Sequence, residues 1–286
     1  MDRNISQAVQ VYREETHRSS PDLRLRSPDQ AIEFVNQRGF IFFWPISGIP
    51  YPSLWTAVAG EVPVASNHDH PGHVSWSWKD NLLGKKQWYY AKLLRNKATI
   101  LSLDAAPHFY ALTENYGAPE HDYLTQYEQG RMTMEAKNLY QVLLNEGPLD
   151  TVVLRRKANL SAKASSSKFE RALTHLQSDM KILPVGVSRA GGWNYAFIYD
   201  LVTRHFPELP EIARQITESQ ARRYLCSSYF RSVGAAQLKD VMKIFRWSAR
   251  LAKQVLDSLL ESGMINRKWS EADESEWYFL LSLIHI

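Results

Sequence analysis

A chain of 286 residues, 44% hydrophobic and 12% aromatic, has room for two or three globular domains and is too apolar to be disordered. Its single cysteine, Cys226, excludes an intrachain disulfide framework and a cysteine-based zinc site. No apolar run reaches membrane length and Met1 opens no signal peptide, so a reducing, cytoplasmic setting without membrane contact is expected.

Net charge is +4 and the isoelectric point is about 9.0, but the distribution says more. Residues 79–97 hold six Lys/Arg against one acid, 151–205 nine against three, and 231–268 eight against three. Residues 104–136 run the other way, with one Arg against six acids. Basic charge collected in blocks suits contact with phosphate; the alternative is a solvated helix face.

Residues 1–24 read as a polar N-terminal segment with a Ser-Ser-Pro linker at 19–21. Ser27-Pro28-Asp29-Gln30 is a helix start: Ser at the N-cap, Pro at the first position, Gln reaching back. That helix ends near Arg38-Gly39, and the continuously apolar Phe40–Ile46 follows. A short helix is expected around Leu54–Val58. His68-Asp69-His70-Pro71-Gly72-His73 brings imidazoles and a carboxylate together, but at no metal-ligand spacing; a polar surface loop is expected, with no metal and no cofactor. Lys85–Lys92 reads as a basic-aromatic helix suited to bases and phosphates, or as core through Trp88. Ala98–Leu103 reads as a strand.

From residue 133 the pattern is that of a winged helix-turn-helix. A first helix ends near Leu144, a second runs from Thr151 to Ala158, and a third follows Ser165-Ser166-Ser167. Phe169, Leu173 and Leu176 lie at i, i+4 and i+7 and face a core. Lys168, Arg171 and His175 lie on another face. Strands Ile182–Val187 and Trp193–Tyr199 flank a glycine-bearing turn that carries Arg189. This order puts a recognition helix in a DNA groove with a wing beside it. A second copy strengthens the reading. Gly234, Val241, Trp247 and Ser248 repeat Gly147, Leu154, Leu160 and Ser161 at an offset of 87, and Leu256 and Leu259 repeat Leu173 and Leu176 at 83. The shift implies a four-residue deletion. Ser248 would cap the second copy's third helix, with Ala252, Val255, Leu256 and Leu259 inward and Arg250 and Lys253 outward. The competing reading is a plain helical bundle with hairpins.

These residues, with Gly-Pro-Leu-Asp-Thr at 147–151 and Asp-Met-Lys-Ile-Leu-Pro-Val-Gly at 179–186, resemble the AlkZ/YcaQ family of winged-helix DNA glycosylases over roughly residues 25–280. The resemblance implies an α+β protein of tandem winged helices and a small C-terminal β-barrel, cutting the N-glycosidic bond of alkylated or crosslinked purines. No barrel segment is present, and Leu281–Ile286 breaks the preceding pattern, so a truncated end with an artefactual tail at 282–286 is expected. The domains expected are 25–132, 133–208 and 209–281. The family's Gln-x-Gln or Gln-x-Asp motif would fall on Phe42 and Trp44, neither of which can activate water. Trp78-Lys79-Asp80 is similar to a stretch where a His-Glu pair follows a Trp, which makes Asp80 the catalytic candidate. Phe42, Trp44 and Trp78 would line the lesion pocket. Lys79, Lys85, Lys86, Arg155, Arg156, Lys168, Arg171, His175, Arg189, Arg250 and Lys253 would meet duplex DNA. A monomeric repair glycosylase is the preferred reading. A non-enzymatic DNA-binding regulator is the alternative, and a protein–protein scaffold fits the basic blocks least.

Overall fold

The computed structural model describes residues 3–66, 70–191, 194–271 and 274–283, with the side chains of Arg3 and Asn4 left aside. A leading helix, α1 (Arg3–Thr16), precedes three runs of elements in the same order, helix–strand–helix–helix–strand–strand. The first is α2 (Pro28–Arg38), β1 (Phe40–Phe42), α3 (Leu54–Ala59), α4 (Val74–Leu82), β2 (Tyr89–Lys92) and β3 (Ala98–Leu101). Short helices α5 (Ala106–Tyr110) and α6 (Asp122–Glu128) lead to the second: α7 (Met134–Glu146), β4 (Leu149–Asp150), α8 (Thr151–Lys157), α9 (Ser166–Ser178), β5 (Ile182–Ser188) and β6 (Ala196–Leu201). After α10 (Val202–His205) and α11 (Leu209–Arg214) comes the third: α12 (Glu218–Val233), β7 (Ala235–Ala236), α13 (Leu238–Phe245), α14 (Ala249–Glu261), β8 (Ile265–Ser270) and β9 (Ser275–Leu280).

The second and third runs share their sheet topology. Each places its last strand in the centre, β4-β6-β5 and β7-β9-β8, with antiparallel neighbours. The offset between them is 87 at α8 and α13, 83 at α9 and α14 and at the starts of β5 and β8, and 79 at β6 and β9, so four residues are missing between the second and third helices and four more by the last strand. Between those helices the earlier copy inserts a 3-10 turn, Lys163–Ser165. Strand β6 begins at Ala196, later than the Trp193 expected; Trp193 itself lies outside the described residues.

Local chemistry sets these elements. Thr133 caps α7 by accepting from Ala136 N at 3.2 Å. Asp150 caps α8 by accepting from Val152 N and Val153 N, both at 2.9 Å. Ser248 caps α14 through Leu251 N at 3.3 Å. Gln237 and Asp240 form a reciprocal capping box on α13. Leu139, Leu143, Leu154, Phe169, Leu173, Leu176, Ile182 and Tyr199 then close one core. Truncating any of these leucines to alanine costs about 2–5 kcal/mol. Gly234 follows α12 at φ +71°, where a Cβ would also sit 2.8 Å from the Tyr12 ring, so glycine is required twice over.

The chain divides into two compact units: Met1–Trp78 with Thr99–Ala105 and Glu218–Ile286, and Lys79–Ala98 with Ala106–Thr217. In the first, β1 pairs with β3 from Phe40↔Leu101 to Phe42↔Thr99, and α1 docks by Arg13 donating to Val233 O (2.9 Å) and Ala235 O (2.8 Å). In the second, β2 packs against α9 and β5. One sequence expectation fails here. Residues 85–92 are not a helix: Gly84 (φ +76°) ends α4, Lys85 and Lys86 lie in a turn, and Tyr89–Lys92 is a strand. The three consecutive buried aromatics Trp88, Tyr89 and Tyr90 suit a strand enclosed on both faces better than a helix with one apolar stripe.

Candidate nucleic-acid interface and the Lys79–Asp80–Tyr195 cluster

The clearest concentration of solvent-facing cations lies on α8, α9 and the β5–β6 turn. Lys168 and Arg171 are exposed on the outer side of α9, opposite the buried Phe169, Leu173 and Leu176. Lys168 makes a surface ion pair with Glu135 at 3.0 Å, and Arg171 Nε donates to Ser167 O at 3.3 Å. Both bonds are weak in water and exchange readily for phosphate. His175 Nε2 is 3.3 Å from Asp179, whose carboxyl is pushed up by burial against the opposing effect of His175. Arg156 and Arg189 are exposed, and no side-chain hydrogen bond or ion pair engages either guanidinium among the described residues. Lys85 and Lys86 are exposed in the turn after α4.

Arg155 is different. Its Nε donates to Leu160 O at 2.7 Å, and its Nη2 to Ala162 O at 3.2 Å and Ser166 Oγ at 2.6 Å. Its guanidinium also lies 5.5 Å from the Phe169 ring centre. Arg155 therefore clamps the turn between α8 and α9 rather than facing a ligand.

Lys79 departs further from expectation. Its side chain is 1% exposed, so it is not a surface phosphate contact. Its ammonium pairs with Asp80, sits 3.2 Å from Tyr195 Oη, and lies 4.5 Å from the Phe197 ring centre and 5.2 Å from that of Tyr90. Tyr195 Oη in turn donates to Asp80 Oδ1 at 3.0 Å. Burial lowers the Lys79 pKa, and Asp80 opposes that shift. The cluster ties α4 to the start of β6. Its tyrosine and phenylalanine were absent from the sequence reading, where only the aromatic alternation Tyr195, Phe197, Tyr199 hints at them. Chemically, Asp80 is a carboxylate whose Oδ1 is already occupied by an ammonium and a phenol.

In the other unit, Phe42 is wholly buried and Trp78 is 7% exposed. Trp44 is half-buried among Phe43, Trp55 and Trp76, with ring centres 4.4, 5.3 and 5.9 Å away. The positions expected to hold a catalytic amide pair thus form part of an aromatic cluster. Of the histidine-rich stretch, His68 and Asp69 lie outside the described residues. His70 Nδ1 accepts from Gly72 N and His73 Nε2 donates to Ala65 O, each at 3.0 Å, so both rings serve the loop's own backbone. No group of metal-ligating side chains occurs among the described residues. Arg250 and Lys253 are exposed on α14 and line, with Arg222 and Arg223, a groove of about 620 Å³. Lys253 pairs with Asp257 at 3.2 Å. Among the described residues no helix is long and apolar enough to cross a membrane.

The sequence pattern of the AlkZ-related family matches residues 25–246. The chain belongs to that family. Among solved structures it is similar to the Streptomyces sahachiroi DNA glycosylase AlkZ, with a TM-score of 0.57 at 11% identity over 98% of this chain and 71% of that one. The two share a fold of helices and small antiparallel sheets. No curated protein matches.

Proposed function

We propose that this AlkZ-related chain is a winged-helix protein that binds duplex DNA and acts in DNA repair, on alkylated or crosslinked purines in the manner of a glycosylase. The observation that carries the reading is the repeated helix–strand–helix–helix–hairpin unit, with α9 as its recognition helix and Arg189 on its wing. Lys168, Arg171, His175, Arg156, Arg189, Lys85 and Lys86 would meet phosphates, with Arg250 and Lys253 doing so on the last repeat. Asp80 is the carboxylate assigned to the developing sugar cation. Of the expected pocket residues, Trp44 is half-buried and able to meet a lesion, whereas Phe42 and Trp78 are buried in the core and do not line an open pocket.

Two observations favour a second reading, a DNA binder without hydrolytic activity. Aromatic side chains stand where the family's amide pair belongs, and Asp80 is engaged by Lys79 and Tyr195. One experiment separates the two. Duplex DNA bearing N7- or N3-alkylpurines is incubated with the protein, and abasic sites and bound complex are both quantified. Abasic product that disappears with Asp80→Asn supports the glycosylase. Tight binding with no product supports the regulator. Absence of duplex binding removes both.

A further inference from the structure

Each repeat ends in two strands, and the first of the two, β2, β5 or β8, lies at an edge of its sheet. An open edge invites pairing with another chain, so folds blunt it. β2 and β5 pack against each other. β5 is blunted further. Pro184 has no N–H to offer, the register with β6 slips between Pro184 and Gly186, and a Cβ on Gly84 would lie 2.5 Å from Val185 O. β8 has none of these devices. Its six residues, Ile265–Ser270, include neither Pro nor Gly and pair with β9 without a break from Ile265↔Leu280 to Ser270↔Ser275. Asn266, Arg267, Lys268 and Trp269 are all exposed, Trp269 by 60%.

The alternation of an antiparallel ladder tells which backbone groups of β8 are free. Met264 O accepts from Leu281 N at 3.1 Å, so Met264, Asn266 and Lys268 turn their backbone groups towards β9, and Arg267 and Trp269 turn theirs outward. Arg267 N is covered by its own neighbour, donating to Asn266 Oδ1 at 2.7 Å. The Arg267 carbonyl and the Trp269 N–H and carbonyl make no hydrogen bond to other main chain among the described residues.

Charge decides what can pair there. Two copies of β8 joined antiparallel by these outward groups, in the registers of greatest overlap, set Arg267 opposite Arg267 or Lys268 opposite Lys268. Like charges directly opposite are destabilising, so the edge turns away its own copy. The same cations favour a strand that brings carboxylates. Arg267 and Trp269 point to one face of the hairpin and Lys268 to the other. A complementary strand therefore carries two adjacent acids, one for each face, followed by an apolar residue against Trp269. The one ion pair of Arg267, to Glu276 at 3.6 Å, joins two exposed groups and yields readily.

We propose that β8 is a docking edge for an extended acidic segment of a partner protein, which adds as a fourth strand to the β7-β9-β8 sheet with its carboxylates on Arg267 and Lys268 and an apolar side chain on Trp269. The proposal does not depend on duplex binding or on base release.

The test is fluorescence anisotropy of a labelled peptide, Thr-Val-Glu-Glu-Val-Thr, titrated with the full chain. Replacing both glutamates of the peptide by lysine is expected to weaken binding at least roughly tenfold, the effect of two screened ion pairs turned to repulsion. Trp269→Pro removes an outward N–H and leaves the β9 ladder whole, and is expected to weaken binding as much. Lys268→Glu, at an exposed position, is expected to do the same and covers the case in which the proline variant fails to fold. Exchange of the Trp269 amide hydrogen is expected to slow when the peptide binds. Undetectable binding at millimolar concentration overturns the proposal, as does equal affinity for the lysine peptide or an unchanged Trp269 amide. A short DNA duplex that protects the Trp269 amide and displaces the peptide also overturns it, because β8 would then be a nucleic-acid surface.

Discussion

Replacing Asp80 by Asn separates a structural from a catalytic role for this carboxylate. In the native protein the Lys79 ammonium is 1% exposed and forms an ion pair with Asp80. Its other neighbours are the Tyr195 hydroxyl at 3.2 Å and the rings of Phe197 and Tyr90. Asp80→Asn keeps the shape and removes the charge. A buried ammonium left without its counter-ion costs about 3–5 kcal/mol. Deprotonation limits the loss. Driving Lys79 from its ordinary pKa of 10.5 to neutral at pH 7 costs about 5 kcal/mol at about 1.4 kcal/mol per unit. The expected loss is therefore about 3–5 kcal/mol, and 3 kcal/mol alone lowers Tm by about 6–12 °C in a domain of 150–250 residues. Thermal and urea unfolding at pH 7 measure it. The double variant Lys79→Met/Asp80→Asn carries neither charge and is expected to recover much of the loss. An Asp80→Asn protein within about 0.5 kcal/mol of the parent, the ordinary scatter of a surface change, would refute this account of the cluster. If such a protein also lost base release, Asp80 would stand as a catalytic group.

Four further outcomes follow from the geometry. Lys168→Ala with Arg171→Ala should reduce the salt dependence of duplex binding by about two units, one per phosphate contact, and an unchanged slope would turn α9 away from DNA. Arg156→Ala should weaken duplex binding with an unchanged Tm. Arg155→Ala, which removes the clamp on Leu160, Ala162 and Ser166, should lower stability by about 1–3 kcal/mol, read by urea unfolding. His17 should make folding acid-sensitive. Its folded pKa of about 3 lies below the ordinary 6.5, so the unfolded chain binds the extra proton between those values and stability falls as pH drops through that window. The full loss is about 5 kcal/mol, and His17→Leu should flatten that part of the pH–stability curve.

What could be read from the sequence is what neighbours in sequence decide. The α9 core face follows from Phe169, Leu173 and Leu176 at helical spacing, and the α8 and α14 starts from Asp150 and Ser248, whose side chains cap within three residues. The repeat at offsets 87 and 83 relates the second and third helices of the two copies, α8 with α13 and α9 with α14. The differences come from partners that local periodicity does not show. Lys79 looked like a surface cation because its phenol partner lies 116 residues away. The hydrogen bonds of Arg155 to Leu160, Ala162 and Ser166 are not legible either, because these acceptors belong to an irregular turn. Lys85–Lys92 carries no clear period, since its lysines flank three consecutive aromatics, and the strand follows from the enclosure of Tyr89 and Tyr90. In the candidate site, the aromatic character of positions 42 and 44 was evident in the residue types, but their burial came only from the packing of Tyr51, Trp55 and Trp76.

That packing decides whether the family's amide pair could be restored. Phe42 is fully buried on β1, its ring centre 6.0 Å from that of Tyr51, which itself stacks on Phe40 at 5.0 Å and on Tyr229 at 5.5 Å. A glutamine there loses aromatic burial and places an amide where no water reaches. Loss of a buried Phe side chain costs about 3–5 kcal/mol when truncated, and an unsatisfied amide adds about 1–3. Trp44 is half-buried at the rim of its cluster, so a glutamine there can keep its amide hydrated. Trp44→Gln should therefore fold with a loss of about 1–2 kcal/mol, mainly the edge-to-face contact with Phe43 and the tilted contact with Trp55. Phe42→Gln should lose at least twice as much. Unfolding curves of the two single variants test the asymmetry, and equal losses would show that β1 tolerates a polar side chain. In that event the double variant Phe42→Gln/Trp44→Gln becomes a fair assay for base release, because a negative result would then report on chemistry and not on a collapsed core.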